Sequence, residues 1–149
     1  MSPGQILLGF RGRLSRAMLL MWGLPVFAIA LLVYAGIERL LAQVIAPPRS
    51  EGVAGIAILA LGFFPIAPLL VKRLHDFGAS GWWLLLAAAP EIANSGALAL
   101  GLAGSLLGTA IEYLSFAGGA ALAVIAAWPG TRGANRYGLA GTLETGNRQ

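Results

Sequence analysis

The chain has 149 residues, of which 58% are hydrophobic and 11% charged, whereas soluble domains carry about 25% charged residues. So little charge excludes a soluble globular domain, and the bilayer is the expected solvent. The net charge of +4 comes from basic residues at the ends of apolar segments, which is typical of topology signals and argues against nucleic acid as a partner. No cysteine and only one histidine are present, so disulfides, thiolate sites and histidine-rich metal sites are excluded, and we expect no cofactor.

A basic lead over residues 1–16 precedes the first apolar stretch, which predicts a helix over 17–44. Ala17 to Ile37 is 21 residues without a charge, about 31 Å as a helix and enough for a hydrocarbon core of about 30 Å. This run is longer than the 7–15 apolar residues of a signal peptide, so we interpret it as a retained span. A loop over 46–52 follows, and then a second helix over 53–71, which Pro65 and Pro68 are expected to bend.

From Gly81 to Trp128 the only charged residues are Glu91 and Glu112. This stretch of 48 residues is too long for one spanning helix and fits two. We predict helices over 81–103 and 105–128, with the turn between them within Gly101 to Gly108, and a polar tail over 129–149.

The basic residues predict the orientation of the helices. Eight lie on one side of the predicted spans: Arg11, Arg13, Arg16, Lys72, Arg73, Arg132, Arg136 and Arg148. The other side has two, Arg39 and Arg49. The prediction is an all-α, polytopic membrane protein: one domain over 1–149, a bundle of four transmembrane helices, with both termini cytoplasmic.

Three polar motifs, GRLSR, KRLHDFGASGWW and PGTRGANRYG, resemble the signature of the domain-of-unknown-function 805 family, small bacterial inner-membrane proteins. The resemblance rests on Gly12, Arg13, Arg16, Arg73, Leu74, His75, Asp76, Ser80, Gly81, Trp82, Trp83, Pro129, Gly130, Gly133, Asn135, Arg136, Tyr137 and Gly138. It implies a location in the bacterial inner membrane. It implies no activity.

The central motif is expected to form a short turn at the membrane surface. Asp76 is within reach of Arg73, Ser80 is the expected N-cap of the third helix, and Trp82 and Trp83 suit the headgroup level. A plain reading is that the cations set topology and the remaining residues make a rigid turn. The more specific hypothesis is a site for anionic phospholipid headgroups or a membrane-protein partner, formed by Arg13, Arg16, Lys72, Arg73, His75, Asp76, Asn135, Arg136 and Tyr137.

A second polar group lies within the predicted spans: Glu91 and Asn94, three residues apart on one helix face, and Glu112 on the next helix. Carboxylates in hydrocarbon are costly and often functional, so the alternative hypothesis is a small proton- or cation-coupled transporter or channel. The plain reading places one or both near the outer surface, or protonated. An enzyme is not expected, because no nucleophile accompanies His75 and Asp76. A homo-oligomer stays open.

Overall fold

The chain folds into α-helices, as seen in a computed structural model that describes residues 3–138. The helices are α1 (Pro3–Leu8), α2 (Arg16–Leu41), α3 (Arg49–Asp76), α4 (Trp83–Ala99) and α5 (Leu106–Ala127). Residues 3–138 contain no β-strand, which confirms the all-α prediction over this range. The predicted polar tail is described as far as residue 138, and its remainder, including Arg148, lies outside the described residues.

Two helices, α2 and α5, are long and apolar enough to cross a membrane. Helix α3 meets the same test as two parts, Arg49–Leu61 and Pro65–Asp76, which are bent by 65°. Pro65 explains the bend, because its nitrogen cannot donate to the carbonyl of Leu61 and its ring displaces that carbonyl. The described chain therefore has two candidate spans, or three if the bent helix is one span, and the bundle of four spans stays a prediction.

Large apolar side chains cover the outside of the helices. Leu32 is 75% exposed, Phe116 67% and Leu106 90%. A monomer in water rarely exposes apolar surface on this scale, whereas lipid tails contact it at no cost. Together with the long apolar helices, this surface indicates a membrane protein.

The helix ends differ from the predicted bounds by a few residues. Helix α2 begins at Arg16, where the Ser15 hydroxyl accepts a hydrogen bond from the Met18 amide at 3.3 Å, and it ends at Leu41 rather than at 44. Helix α4 covers 83–99 of the predicted 81–103. Helix α5 starts after Ser105, whose hydroxyl accepts from the Gly108 amide at 3.0 Å.

The N-terminal segment contains a helix that the sequence analysis treats only as a basic lead. Helix α1 has six residues, too few for a periodic pattern to reveal it. It is held by tertiary contacts, because Ile6 packs in a buried cluster with Leu14, Leu19 and Leu69. The chain before α2 therefore folds back onto α3.

The connections between the long helices divide between two ends of the molecule. At one end, a Cβ atom on Gly52 in α3 would lie 2.2 Å from the backbone nitrogen of Ala99, the last residue of α4. Nearby, a Cβ on Gly101 would lie 2.8 Å from the Arg49 guanidinium. The α2–α3 and α4–α5 connections therefore meet at this end. The segments before α2, between α3 and α4 and after α5 meet at the other, where the three polar motifs lie.

Candidate functional site

The three polar motifs pack together into one unit, here called the polar cap and formed by residues 9–16, 72–83 and 129–138. Asp76 is at its centre. One carboxylate oxygen lies 3.1 Å from Arg13 Nη2, and the other accepts from Arg73 Nη1 at 2.5 Å. The three side chains are 8%, 1% and 0% exposed respectively. The expected Asp76–Arg73 pair is therefore confirmed, and Arg13 joins it as a second buried cation.

The Arg13 guanidinium also ties the head of the chain to its tail. Its Nη1 donates to the carbonyls of Gly133 and Gly138 at 2.6 and 3.1 Å. Its Nη2 donates to the carbonyls of Thr131 at 2.7 Å and Asp76 at 3.1 Å. A planar fork with five N–H donors is suited to such a set of acceptors, and lysine is not. Arg13 thus holds all three motifs together.

Arg73 and Lys72 are buried in the same way. Arg73 donates to the carbonyl of Leu14 at 3.2 Å, to that of Ala126 at 3.3 Å and to that of Trp128. The Lys72 ammonium donates to the Ile6 carbonyl at the end of α1. Of the cations predicted to contact lipid, these two and Arg13 are therefore interior groups whose donors serve the fold. Arg16 and Arg136 are exposed.

The tail is docked on the central turn by its own side chains. Tyr137 stacks on His75 with ring centroids 3.8 Å apart and planes 8° apart. Asn135 Nδ2 donates to the His75 carbonyl at 2.9 Å, and Asn135 Oδ1 accepts from the Tyr137 amide at 2.8 Å. Arg136 donates to the Gly78 carbonyl at 3.0 Å and lies over the Tyr137 ring at 4.8 Å. The NRY sequence is thus the contact surface between tail and turn.

His75 lies in the part of α3 that belongs to the polar cap. It lies past the apolar part of α3, and burial lowers the pKa of the ring below its ordinary value. The Gly12 carbonyl, 3.2 Å from Nδ1, acts in the opposite direction, and the nearby Arg136 charge lowers the pKa further. The stacking on Tyr137 and the contact with Gly12 give this ring a structural role in the polar cap.

Gly130 is the position where the tail passes closest to the buried carboxylate. A Cβ atom there would lie 2.0 Å from Asp76 Oδ2 and 2.7 Å from its Cγ. The next residue, Thr131, donates its amide to the Asp76 carbonyl at 2.9 Å. Only glycine fits at 130 while the carboxylate keeps both arginines, which is a physical reason for the glycine in the PG pair after α5.

The central turn differs in one respect from the prediction. Ser80 is not the N-cap of the helix that follows: the capping position is Trp82, without a side-chain hydrogen bond, and Ser80 contributes its carbonyl to the Trp83 amide instead. Trp82 and Trp83 are 76% and 58% exposed. Their indoles are free to lie against lipid, as the sequence analysis expects of interface anchors.

Four arginines remain on the outside of the polar cap. They are Arg11, Arg16, Arg132 and Arg136, and all four are exposed. They belong to the same end of the molecule as the exposed indoles. The cap therefore divides its cations into a buried set that holds the fold and an exposed set that faces the surroundings.

The polar residues within the helices do not form one site. Glu91 lines a cavity among α2, α3 and α4, while Asn94 and Glu112 line a smaller one of about 170 Å³ near the α4–α5 connection. The two cavities share no lining residue. Glu112 is exposed close to the start of α5, which agrees with the plain reading of that carboxylate.

Metal-binding residue clusters are absent from residues 3–138: no three His, Cys, Asp or Glu side chains are placed to share an ion.

Comparison with known proteins gives one match. The family model described as "Protein of unknown function (DUF805)" matches residues 7–139, which is most of the chain and includes the whole polar cap. No curated protein and no solved structure matches the chain.

Proposed function

Since the chain belongs to the DUF805 family of proteins of unknown function, we propose its role from its own residues: a multi-pass protein of the bacterial inner membrane whose polar cap binds anionic phospholipid headgroups at the cytoplasmic face. In this role it serves as an accessory or scaffold protein rather than as an enzyme. Helices α2 to α5 form the membrane bundle of the proposal, and both ends of the chain lie on the cytoplasmic side.

The distribution of basic residues supports the orientation. The polar cap contains Lys72 and most of the arginines, whereas Arg39 and Arg49 belong to the opposite end. Basic residues beside membrane spans favour the cytoplasmic side. The polar cap is therefore the cytoplasmic end in this proposal.

The observation that carries the proposal is the division of the cap's arginines. Arg13 and Arg73 satisfy their charge on Asp76 and on backbone carbonyls, so they are not available to a headgroup. Arg16 and Arg132, by contrast, are exposed, as are the indoles of Trp82 and Trp83 in the same cap. Guanidinium groups bind phosphate through paired N–H donors. Indoles prefer the headgroup level of the membrane, so they would hold the cap at that depth. A rigid cap with these groups on its rim matches an anionic membrane surface.

A transporter receives less support from the same geometry. A proton or cation path would join Glu91 and Glu112, but these carboxylates line different cavities with no lining residue in common.

A membrane-protein partner would use the same exposed arginines of the polar cap as the lipid headgroups would. A protein partner would recognise the shape of this surface, whereas lipid binding depends on the charge of the headgroup. A preference for anionic over neutral lipid therefore distinguishes lipid binding from a protein partner.

The double substitution Arg16→Gln/Arg132→Gln tests this function. An arginine near an anionic surface contributes about 1 kcal/mol, so losing two is expected to lower the affinity for phosphatidylglycerol about thirtyfold. The measurement is native mass spectrometry of the full chain released from vesicles of phosphatidylglycerol and phosphatidylcholine, with the retained anionic lipids counted.

The matched control is Arg39→Gln/Arg49→Gln, which removes the same charge from the opposite end and is expected to retain as much phosphatidylglycerol as the unaltered chain. Equal loss in both variants would mean that net charge alone attracts lipid. No loss in the cap variant, or no preference for phosphatidylglycerol in the unaltered chain, would leave a protein partner as the function of this surface.

A further inference from the structure

A cavity of about 370 Å³ opens among the helices, and the proposed function makes no use of it. Side chains from α2, α3 and α4 line it, with one residue from α5. All the lining residues are apolar except Tyr34 on α2 and Glu91 on α4. The cavity lies within the range of about 300–1,000 Å³ that is typical of small-molecule sites.

Glu91 is the one charged residue in this lining. It is eight residues beyond the start of α4, about 12 Å along the helix axis and near its middle. Among the residues that the structure describes, no side chain or backbone group forms a hydrogen bond or ion pair with it. A Cβ atom on Gly119 of α5 would lie 3.5 Å from its Oε1, so α5 approaches the carboxylate closely on one side. An acid without a partner thus borders an apolar space.

We propose that this cavity binds a lipophilic organic cation, a molecule with one positive charge on an aromatic or alkyl body. A carboxylate in apolar surroundings is costly until an opposite charge pairs with it, and the cavity leaves room for that charge together with its apolar body. Phe27 and Tyr34 present aromatic rings to the same space, and such rings attract cations.

Other occupants fit these observations less well. A lipid acyl chain would fill the cavity but leave Glu91 without a counter-charge. A hard metal ion requires several oxygen ligands, and no cluster of such residues accompanies Glu91 in the described chain. An anion would be repelled by the negative charge of Glu91. Charge complementarity therefore selects a cation, and the apolar lining selects a lipophilic one.

The site is separate from the polar cap. None of the residues that line the cavity belongs to the segments 9–16, 72–83 or 129–138. Cation binding and headgroup binding are therefore independent, and each can fail without the other.

The test is equilibrium binding of tetraphenylphosphonium to the full chain in nanodiscs of phosphatidylcholine, with tetraphenylborate as the anion of the same shape. After subtraction of the uptake by nanodiscs without the protein, the expected result is saturable binding of one phosphonium per chain and no binding of the borate. Glu91→Gln keeps the size of the side chain and removes its charge, so affinity for the phosphonium should fall at least about tenfold. Glu112→Gln removes a carboxylate outside the cavity and should bind as the unaltered chain does.

A second variant changes the space without changing the charge. Ala88→Leu places a larger side chain in the lining and is expected to weaken phosphonium binding, while Glu91→Asp keeps the charge and should retain binding. Equal affinity in the Glu91→Gln variant, equal binding of the borate, or phosphonium uptake no greater than that of nanodiscs without the protein would each overturn the proposal. The last of these results would mean that the cation only partitions into the lipid.

Discussion

Replacing Asp76 by asparagine is expected to destabilise the protein by about 3–5 kcal/mol. The amide has the shape of the carboxylate but not its charge. It would leave the guanidinium groups of Arg13 and Arg73, which are 1% and 0% exposed, without an anion. Removing one partner from a buried ion pair has this cost because the remaining charge stays desolvated. Here one carboxylate serves two cations, so the loss is expected at the upper end of that range.

The measurement is the midpoint of unfolding of the purified protein in detergent, by heat and by denaturant. Glu112→Gln is the control, because it removes an exposed carboxylate that accepts no salt bridge in the described chain, and it should leave the midpoint unchanged. An Asp76→Asn protein as stable as this control would mean that the buried charges are not coupled as the structure has them.

Replacing Arg13 by methionine is expected to release the tail from the central turn and to destabilise the protein by about 3–5 kcal/mol. Methionine has a similar length and no donors. The carbonyls of Thr131, Gly133 and Gly138 would lose the hydrogen bonds that hold the segment after α5. Asp76 would still form its salt bridge with Arg73, so the substitution should destabilise the tail more than α3.

Hydrogen–deuterium exchange of peptides covering 129–138 measures that release, next to the unfolding midpoint. Arg11→Met is the matched control, since it is the same substitution two residues away at an exposed arginine. Arg13→Lys keeps the charge without the planar fork, and its exchange is expected to fall between the two. Tail exchange in Arg13→Met equal to that in Arg11→Met would show that Arg13 is not the connection.

Some of this site follows from sequence. Arg73 and Asp76 are three residues apart on one helix, and this spacing puts them on one face, so their pair is predictable. The resemblance to the family also marks the three motifs that meet in the polar cap. The contacts of Arg13 with the tail join residues 118 to 125 positions apart, and no local pattern encodes them.

The burial of the cap's cations does not follow from the sequence. Cations at helix ends are normally exposed, so Arg13, Lys72 and Arg73 are read as groups free to meet a phosphate. They are interior because α1 and the tail cover them, and α1 is too short to predict from its own residues. The glycine at 130 is the one local signal of this arrangement, since a close approach of backbone to a carboxylate leaves no room for a Cβ.

The central claim is that the head, the central turn and the tail form one cap on the cytoplasmic side of the membrane. The chain has no cysteine, so single cysteines introduced at exposed positions report their side without background. Arg11→Cys, Trp82→Cys and Ala134→Cys mark the cap, and Ala46→Cys and Ala103→Cys mark the opposite end. With a membrane-impermeant thiol reagent, the three cap cysteines are expected to react in inverted vesicles only, and the other two in spheroplasts only. Reaction of the Arg11 and Ala134 variants from opposite sides, or of all three cap variants from outside, would contradict the account.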